Sequence, residues 1–375
     1  MPKPIEPAEL NAVVACCRWP PSPARDAAVR DAVAAPLDWD LLGRIVARHR
    51  VEGLVHDGLR RAGVSPPPAV AAALAGAARG IAQENLRFAA ASVRLSAALD
   101  AAAVPHLFVK GVTLGVLAYG SLGHKKSWDI DLAVEPGAYA RACAVLADAG
   151  YAPVEHEGEV ANKHSEWADA ARVTVELHAS LVDNALIMPG LSVLGPRQEV
   201  AVAGGATLPT LAGDELFAYL CVHGGAHAWS RLKWLADVAA LIAPADEAEV
   251  ARLYARSQAM GAGRSVGQAL LLCADLFGRE LPPKLEASLR GDPIVRALVR
   301  AARGSMTRGG ADVELDSMVL GTVPIHATHF FLQRGWRYKW LEARRKLGGG
   351  GALGPAARLT GWLSRRSRTA AAPPA

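Results

Sequence analysis

Asp129 and Asp131 stand two residues apart in Asp-Ile-Asp-Leu-Ala-Val, residues 129–134. Apolar Ile130, Leu132 and Val134 alternate with them, which is the period of a half-buried β-strand, so both carboxylates project from one face. Two carboxylates that close repel each other unless positive charge lies between them. A divalent cation is the usual solution, and oxygen ligands on one rigid face suit magnesium, which keeps its other positions for water and phosphate oxygens. A bare Asp-x-Asp also occurs in turns and solvated strands, so the pair takes its meaning from its surroundings. Residues 108–134 read FVKGVTLGVLAYGSLGHKKSWDIDLAV. A strand-like run ends in Lys110-Gly111, a helix-like stretch covers 112–119, and a basic turn, Lys125-Lys126-Ser127, leads into the carboxylate strand.

The elements that must position these residues can be read outward from them. Residues 106–109 form a short apolar run, and 136–150 read as a helix with Pro just inside its start and Gly at its end. Residues 172–178 alternate again, with Val173, Val175 and Leu177 facing one way and Thr174, Glu176 and His178 the other. Strand, helix, strand, helix, strand is therefore expected across the middle of the chain. Residues 38–100 carry apolar side chains at helical spacing, broken by Pro66-Pro67-Pro68, and helices return after residue 212 with an acidic first turn at Asp214-Glu215. The expected fold class is α+β. A helical region (1–100) precedes a small mixed-sheet core (101–210), and a second helical region (211–347) precedes a Gly- and Arg-rich tail (348–375) that reads as disordered.

The order of strand, Lys-Gly, helix, basic residue and DIDLAV resembles the nucleotidyltransferase superfamily with the polymerase-beta-like fold. More closely, it resembles a bacterial branch described only as an uncharacterised nucleotidyltransferase family. Asp38-Trp39-Asp40, Ala47-Arg48-His49-Arg50-Val51, Glu176-Leu177-His178 and residues 223–241 extend the resemblance over roughly residues 36–345. It implies transfer of a nucleoside monophosphate from a nucleoside triphosphate, ATP above all, to a hydroxyl acceptor by two-metal-ion catalysis. It also implies that Asp129 and Asp131 hold Mg2+ or Mn2+, with a third carboxylate on a neighbouring strand. Glu176 is the candidate for that third ligand; Glu166 and Asp169, in a less regular stretch, are its rivals. Lys110, Gly111, Lys125, Ser127 and His178 are the candidate nucleotide contacts. Lys125 replaces the usual arginine, and a lysine meets phosphate as a point charge rather than a fork. The superfamily's Gly-Ser turn corresponds to Lys110-Gly111 or to Gly120-Ser121; the former is preferred because a following helix would aim its N–H groups at a triphosphate.

Other features are less informative. His223 and His227 fall four apart, but Gly224 occupies the position where a zinc HExxH motif needs glutamate. On one long helix His223, His227 and Arg231 would form a polar stripe, with Lys233 and Asp237 as an i,i+4 pair. Residues 330–346 are basic and aromatic, suited to a membrane surface or an anionic polymer, or to capping a core with tryptophans. The 375 residues are 51% hydrophobic with a net charge of +5, which is globular and mildly basic. Five cysteines without a CxxC pair fit a reducing cytoplasm rather than a disulfide or zinc framework. There is no signal-peptide pattern, no apolar run long enough to span a membrane, no internal repeat and no Rossmann fingerprint. The acceptor is open: a small molecule, sugar, peptide, protein or RNA end. A catalytically silent binding member of the same fold is the alternative; a DxD glycosyltransferase fits the order of elements poorly.

Overall fold

The computed structural model describes residues 5–154, 164–318 and 321–348; the tail expectation, apart from residue 348, lies outside them. The N-terminal helices are α1 (Ala8–Cys16), α2 (Pro23–Ala32), α3 (Trp39–His49), α4 (Glu52–Arg61) and the long α5 (Pro68–Ala101). The middle of the chain holds β1 (His106–Phe108), α6 (Gly111–Tyr119), β2 (Ile130–Val134), α7 (Tyr139–Asp148), β3 (Ala152–Pro153), β4 (His164–Ala168), β5 (Thr174–His178), β6 (Arg197–Ala201) and β7 (Thr207–Leu211). Then come α8 (Gly213–Ala226), α9 (Leu232–Leu241), α10 (Glu247–Ala259), α11 (Gly263–Leu272), α12 (Pro283–Gly291), α13 (Pro293–Thr307), α14 (Val323–His329) and α15 (Trp336–Gly348). The class is α+β, as the patterning indicates.

Five strands form one mixed sheet in the order β1-β2-β5-β4-β3, and β6 and β7 form a separate hairpin. β2 and β5 run parallel, with Ile130 opposite Val175 and Asp131 opposite Glu176; the other pairs are antiparallel. The simple strand–helix–strand order needs correction. A β3–β4 pair is inserted before β5, and β4 occupies the stretch read as irregular. The 136–150 helix also starts later, after a 3-10 turn at Pro136–Ala138.

The alternation in β2 divides the sheet into two faces. Ile130, Leu132 and Val134, with Val175 and Leu177, pack on Leu95 and Leu99 of α5 and Leu146 of α7. On the opposite face, Ala133 of β2 and Leu107 of β1 join a larger cluster that includes Leu42 and Ile45 of α3, Phe217 of α8 and Leu235 of α9. All five residues of β2 are consequently buried, so the strand is not half-exposed as its pattern implies. Its polar face is covered by helices from both ends of the chain, and Asp131 lies beneath them at 6% exposure.

The loop from 120 to 129, which delivers the chain into β2, is held from several sides. Asn85 of α5 donates from Nδ2 to the carbonyls of Leu122 (2.6 Å) and Lys125 (2.7 Å). Lys126 donates to Glu52 Oε1 of α4 at 2.6 Å. Gly53 lets α4 approach so closely that a Cβ there would lie 2.6 Å from the carbonyl oxygen of Gly123 and 2.7 Å from that of His124. At the far end of the chain, α15 buries Tyr338 and Glu342 and leaves Trp336 and Trp340 exposed, against the expectation that its tryptophans cap the core.

Gly53→Ala should therefore lower stability by about 1–3 kcal/mol through overpacking, although alanine is the better helix former by up to about 1 kcal/mol. Urea denaturation followed by circular dichroism checks the sign; an unchanged or raised midpoint would refute the close-approach account.

Candidate active site

The parallel ladder between β2 and β5 sets Asp131 directly beside Glu176, with their side chains on one face. The antiparallel ladder between β5 and β4 then sets Glu166 beside Glu176. Three adjacent strands thus carry an acidic row at one level of the sheet. His178, two residues beyond Glu176, turns back toward it: its Nε2 is 3.6 Å from Asp131 Oδ1 and 3.6 Å from Glu176 Oε2. Ligand atoms of Asp131, Glu176 and His178 all lie within 4.8 Å of one another. Asp129, just before β2, lines the same cleft as Asp131 and Glu176. Asp169 is elsewhere, because its carboxylate and backbone close the β4–β5 turn onto Val173.

Lys110 supplies the nearest positive charge, with Nζ 2.6 Å from Asp131 Oδ1. Burial works against ionising this pair, but each charge holds the other. The Asp131 carboxyl falls far below the usual carboxylate range under Lys110 and His178, and the Lys110 ammonium rises well above its ordinary value. His178 is likewise raised to about 9, its burial outweighed by Asp131 and Glu176. Asp129 goes the other way, up to about 6, through burial and then the Asp131 charge. Of the carboxylates expected to act, Asp129 is the one left short of positive charge.

Gly111 begins α6 with φ +64°, the left-handed region, and Lys110 is its N-cap with no side-chain cap bond. The requirement for glycine is conformational here, since a Cβ would meet no atom closer than 3.6 Å. The first N–H groups of α6 therefore open beside the carboxylates. Gly120 and Ser121 lie at the other end: Gly120 ends α6 in a left-handed turn and Ser121 Oγ accepts from Gly123 N. The cleft between these elements has a volume of about 160 Å³. Ser127 lines it too, and Ser127 Oγ is buried there with no hydrogen-bond partner among the described residues.

Lys125 also lines the cleft, but its Nζ pairs with Asp237 Oδ2 at 3.0 Å, and Tyr119 donates to Asp237 Oδ1 at 2.9 Å. This overturns the expected i,i+4 pair: Asp237 is taken by the sheet side of the cleft, and Lys233 has no ion pair among the described residues. Burial, then Lys125 and Arg50, lower Lys233 to about 7. The His223–His227–Arg231 stripe needs the same kind of correction. α8 stops at Ala226, and a turn with Ala228 and Trp229 at positive φ sends Arg231 away to Glu314, 2.9 Å distant. His227 stacks on Trp234 with ring centroids 4.6 Å apart, and His223 meets the same indole edge-on. Burial, followed by Lys110, holds His223 well below the ordinary imidazole value, so it stays neutral; His227, more exposed on the cleft wall, is shifted in the same direction by partial desolvation and then by Lys110.

Residues that spacing alone did not single out for the site are Arg50, Trp128, Lys233 and Trp234, all on the cleft wall. Trp128 precedes Asp129 and stands 52% exposed, with Arg50 and Lys126 each 4.8 Å from its ring centre. The only local signal for it was a large aromatic residue next to the carboxylate motif. Lys233 and Trp234 reach the cleft because His49 Nδ1 accepts from the backbone N–H of Leu232 at 3.0 Å, at the start of α9. Arg48 completes that clamp by donating to the carbonyls of Ser230, Ser305 and Val313.

Asp237→Asn should cost about 3–5 kcal/mol, because it removes one partner of a buried ion pair and strands Lys125 without its counter-charge. Equilibrium urea unfolding measures this. A loss below about 1 kcal/mol would show that Lys125 turns to solvent instead.

None of the curated proteins compared with the chain matches it. A family model described as uncharacterised nucleotidyltransferase matches residues 35–278, from just before α3 to beyond α11. That is more than half of the chain, and it includes every carboxylate, lysine and histidine of the cleft. The chain therefore belongs to the uncharacterised nucleotidyltransferase family.

Proposed function

We propose that the protein moves a nucleoside monophosphate from a nucleoside triphosphate, with ATP the first donor to try, onto a hydroxyl-bearing acceptor, using Mg2+ or Mn2+. The observation that carries this reading is the parallel pairing of β2 with β5, which places Asp131 against Glu176 in a cleft walled by lysines and an uncapped helix N-terminus. The donor set fits a hard cation: besides Asp237, which Lys125 holds, Asp129, Asp131 and Glu176 share the cleft, and burial with the Asp131 charge already pushes Asp129 up to about 6. Asp129, Asp131 and Glu176 would hold the metal, as one ion or the pair expected of such enzymes, and it would supply neutralisation of phosphate charge and acidification of the acceptor hydroxyl.

The chain's own groups do the rest. Lys110, Ser127, Lys233 and the first N–H groups of α6 bind phosphate oxygens, an arrangement in which positioning and charge supply most of the rate enhancement. The cleft is smaller than the roughly 300–1,000 Å³ of sites that enclose a drug-sized ligand, so it suits the phosphates, with the nucleoside toward the mouth near Trp128. The acceptor oxygen bonds to the α-phosphorus as the bond to the β-phosphate oxygen breaks and pyrophosphate leaves. Glu176 takes the hydroxyl proton.

The direct test incubates the protein with magnesium, a cell extract and each nucleoside triphosphate labelled at either the α- or the γ-phosphate. Transfer of the α-label with release of pyrophosphate is expected. Transfer of the γ-label would make the protein a kinase and overturn the reading. Metal-dependent nucleotide binding without any transfer would favour a silent binding member.

Two variants test the roles. Glu176→Gln should retain nucleotide affinity and lose about 100-fold or more in turnover; normal turnover would shift attention to Glu166 on the neighbouring strand. The double variant Asp129→Asn with Asp131→Asn should keep its circular dichroism spectrum and lose metal binding by calorimetry. Undiminished metal affinity would remove the pair from the site.

A further inference from the structure

The last described helix has its polarity reversed. α15 turns Tyr338, Glu342 and Lys346 inward at helical spacing, all at 9% exposure or less. Trp336, Trp340 and Arg344, also at helical spacing, face outward, with the two indoles 72% and 57% exposed. The buried stripe is satisfied: Glu342 is within 3.3 Å of His329, Arg345 and Lys346, and the Tyr338 hydroxyl donates to the carbonyl of His329 at 2.7 Å. The inward face is therefore settled, and the aromatic stripe is left over.

Phe331, 42% exposed, adds a third ring. Each ring has a cation near its centre: Lys339 at 5.8 Å from Phe331, Arg337 at 5.9 Å from Trp336 and Arg344 at 5.7 Å from Trp340. The sequence continues in the same character. Beyond Arg345 and Lys346, which are committed to Glu342, residues 343–375 contain Arg344, Arg358, Arg365, Arg366 and Arg368, with Leu359, Trp362 and Leu363 among them, and no aspartate or glutamate.

We propose that this face docks on an anionic lipid surface. Protruding indoles interleaved with arginine and lysine match the interfacial layer of a bilayer, where amphipathic rings and cations sit at headgroup depth. The acid-free basic run adds attraction for anionic headgroups. Single-stranded nucleic acid is disfavoured because stacking sites shade their rings within a groove, whereas these indoles stand more than half exposed. No helix among the described residues is long and apolar enough to cross a membrane, so the contact is peripheral. The stripe contains none of the residues lining the carboxylate cleft, so docking and transfer are separable.

The test is co-sedimentation of the full chain with vesicles of phosphatidylcholine alone or mixed with phosphatidylglycerol. Binding to the mixed vesicles, weakened by salt and at least about tenfold stronger than to the neutral ones, is expected. Trp336→Ser with Trp340→Ser should reduce it about tenfold or more, with circular dichroism and nucleotide affinity unchanged. Should that variant fail to fold, Arg337→Glu with Arg344→Glu, both exposed, is the second probe and should reduce binding to anionic vesicles similarly. Equal binding to both vesicle types, no binding, or full binding by the folded variants would overturn the proposal. So would tight binding of a single-stranded oligonucleotide without vesicle binding, or a stable dimer in which the two tryptophans are protected.

Discussion

Like charges cannot share a buried cleft without compensation, and that constraint organises the centre of this molecule. The mixed sheet brings Asp131, Glu176 and Glu166 to one level on three adjacent strands, and Asp129 stands at the head of β2. Lys110 and His178 answer the charge of Asp131. Asp129 is the carboxylate whose surroundings most favour its neutral form. A small sheet of this kind would be ordinary if the row faced solvent. Helices laid over its polar face give the cleft a low dielectric and make the charges strong.

The same constraint reaches outward through the lysines. Lys125 is matched by Asp237 on α9, and Lys126 by Glu52 on α4. The segment between α6 and β2 is thereby tied to helices from both ends of the chain, and Asn85 fixes two of its carbonyls from α5. Arg48 and His49 then lock the turn before α9, which decides where Lys233 and Trp234 stand. Helices that look peripheral along the chain are thus the walls of the cleft, and one cluster of buried side chains joins them to Ala133 and Leu107 of the sheet.

Polarity at the C-terminal end follows a different rule. α15 buries an ion-pair network around Glu342 and exposes indoles, the reverse of an ordinary surface helix. Burial of Glu342 is tolerable because His329, Arg345 and Lys346 surround it, and they hold its carboxyl below the usual carboxylate range. The aromatic stripe has no such explanation among the described residues, and the proposed lipid surface would give it one.

Local sequence determined what depends on neighbours along the chain. The period of two in 130–134 and 174–178 marked β2 and β5 and put Glu176 and His178 on one face, and Gly111 after a strand-like run marked the turn into α6. The α+β class and the flanking helices were legible for the same reason: periodicity and Gly/Pro punctuation are local signals. Pairing across the chain was not legible. That β2 lies parallel to β5 in a register opposing Asp131 to Glu176, and that β4 rather than loop flanks them, depends on contacts between distant segments. Tertiary packing also broke the histidine stripe at Ala226, where a turn with Ala228 and Trp229 at positive φ carries the fully buried Trp229 into the core. It took Asp237 from Lys233 and gave it to Lys125, since the partner of a buried charge is chosen by proximity in three dimensions, which spacing along a helix does not encode.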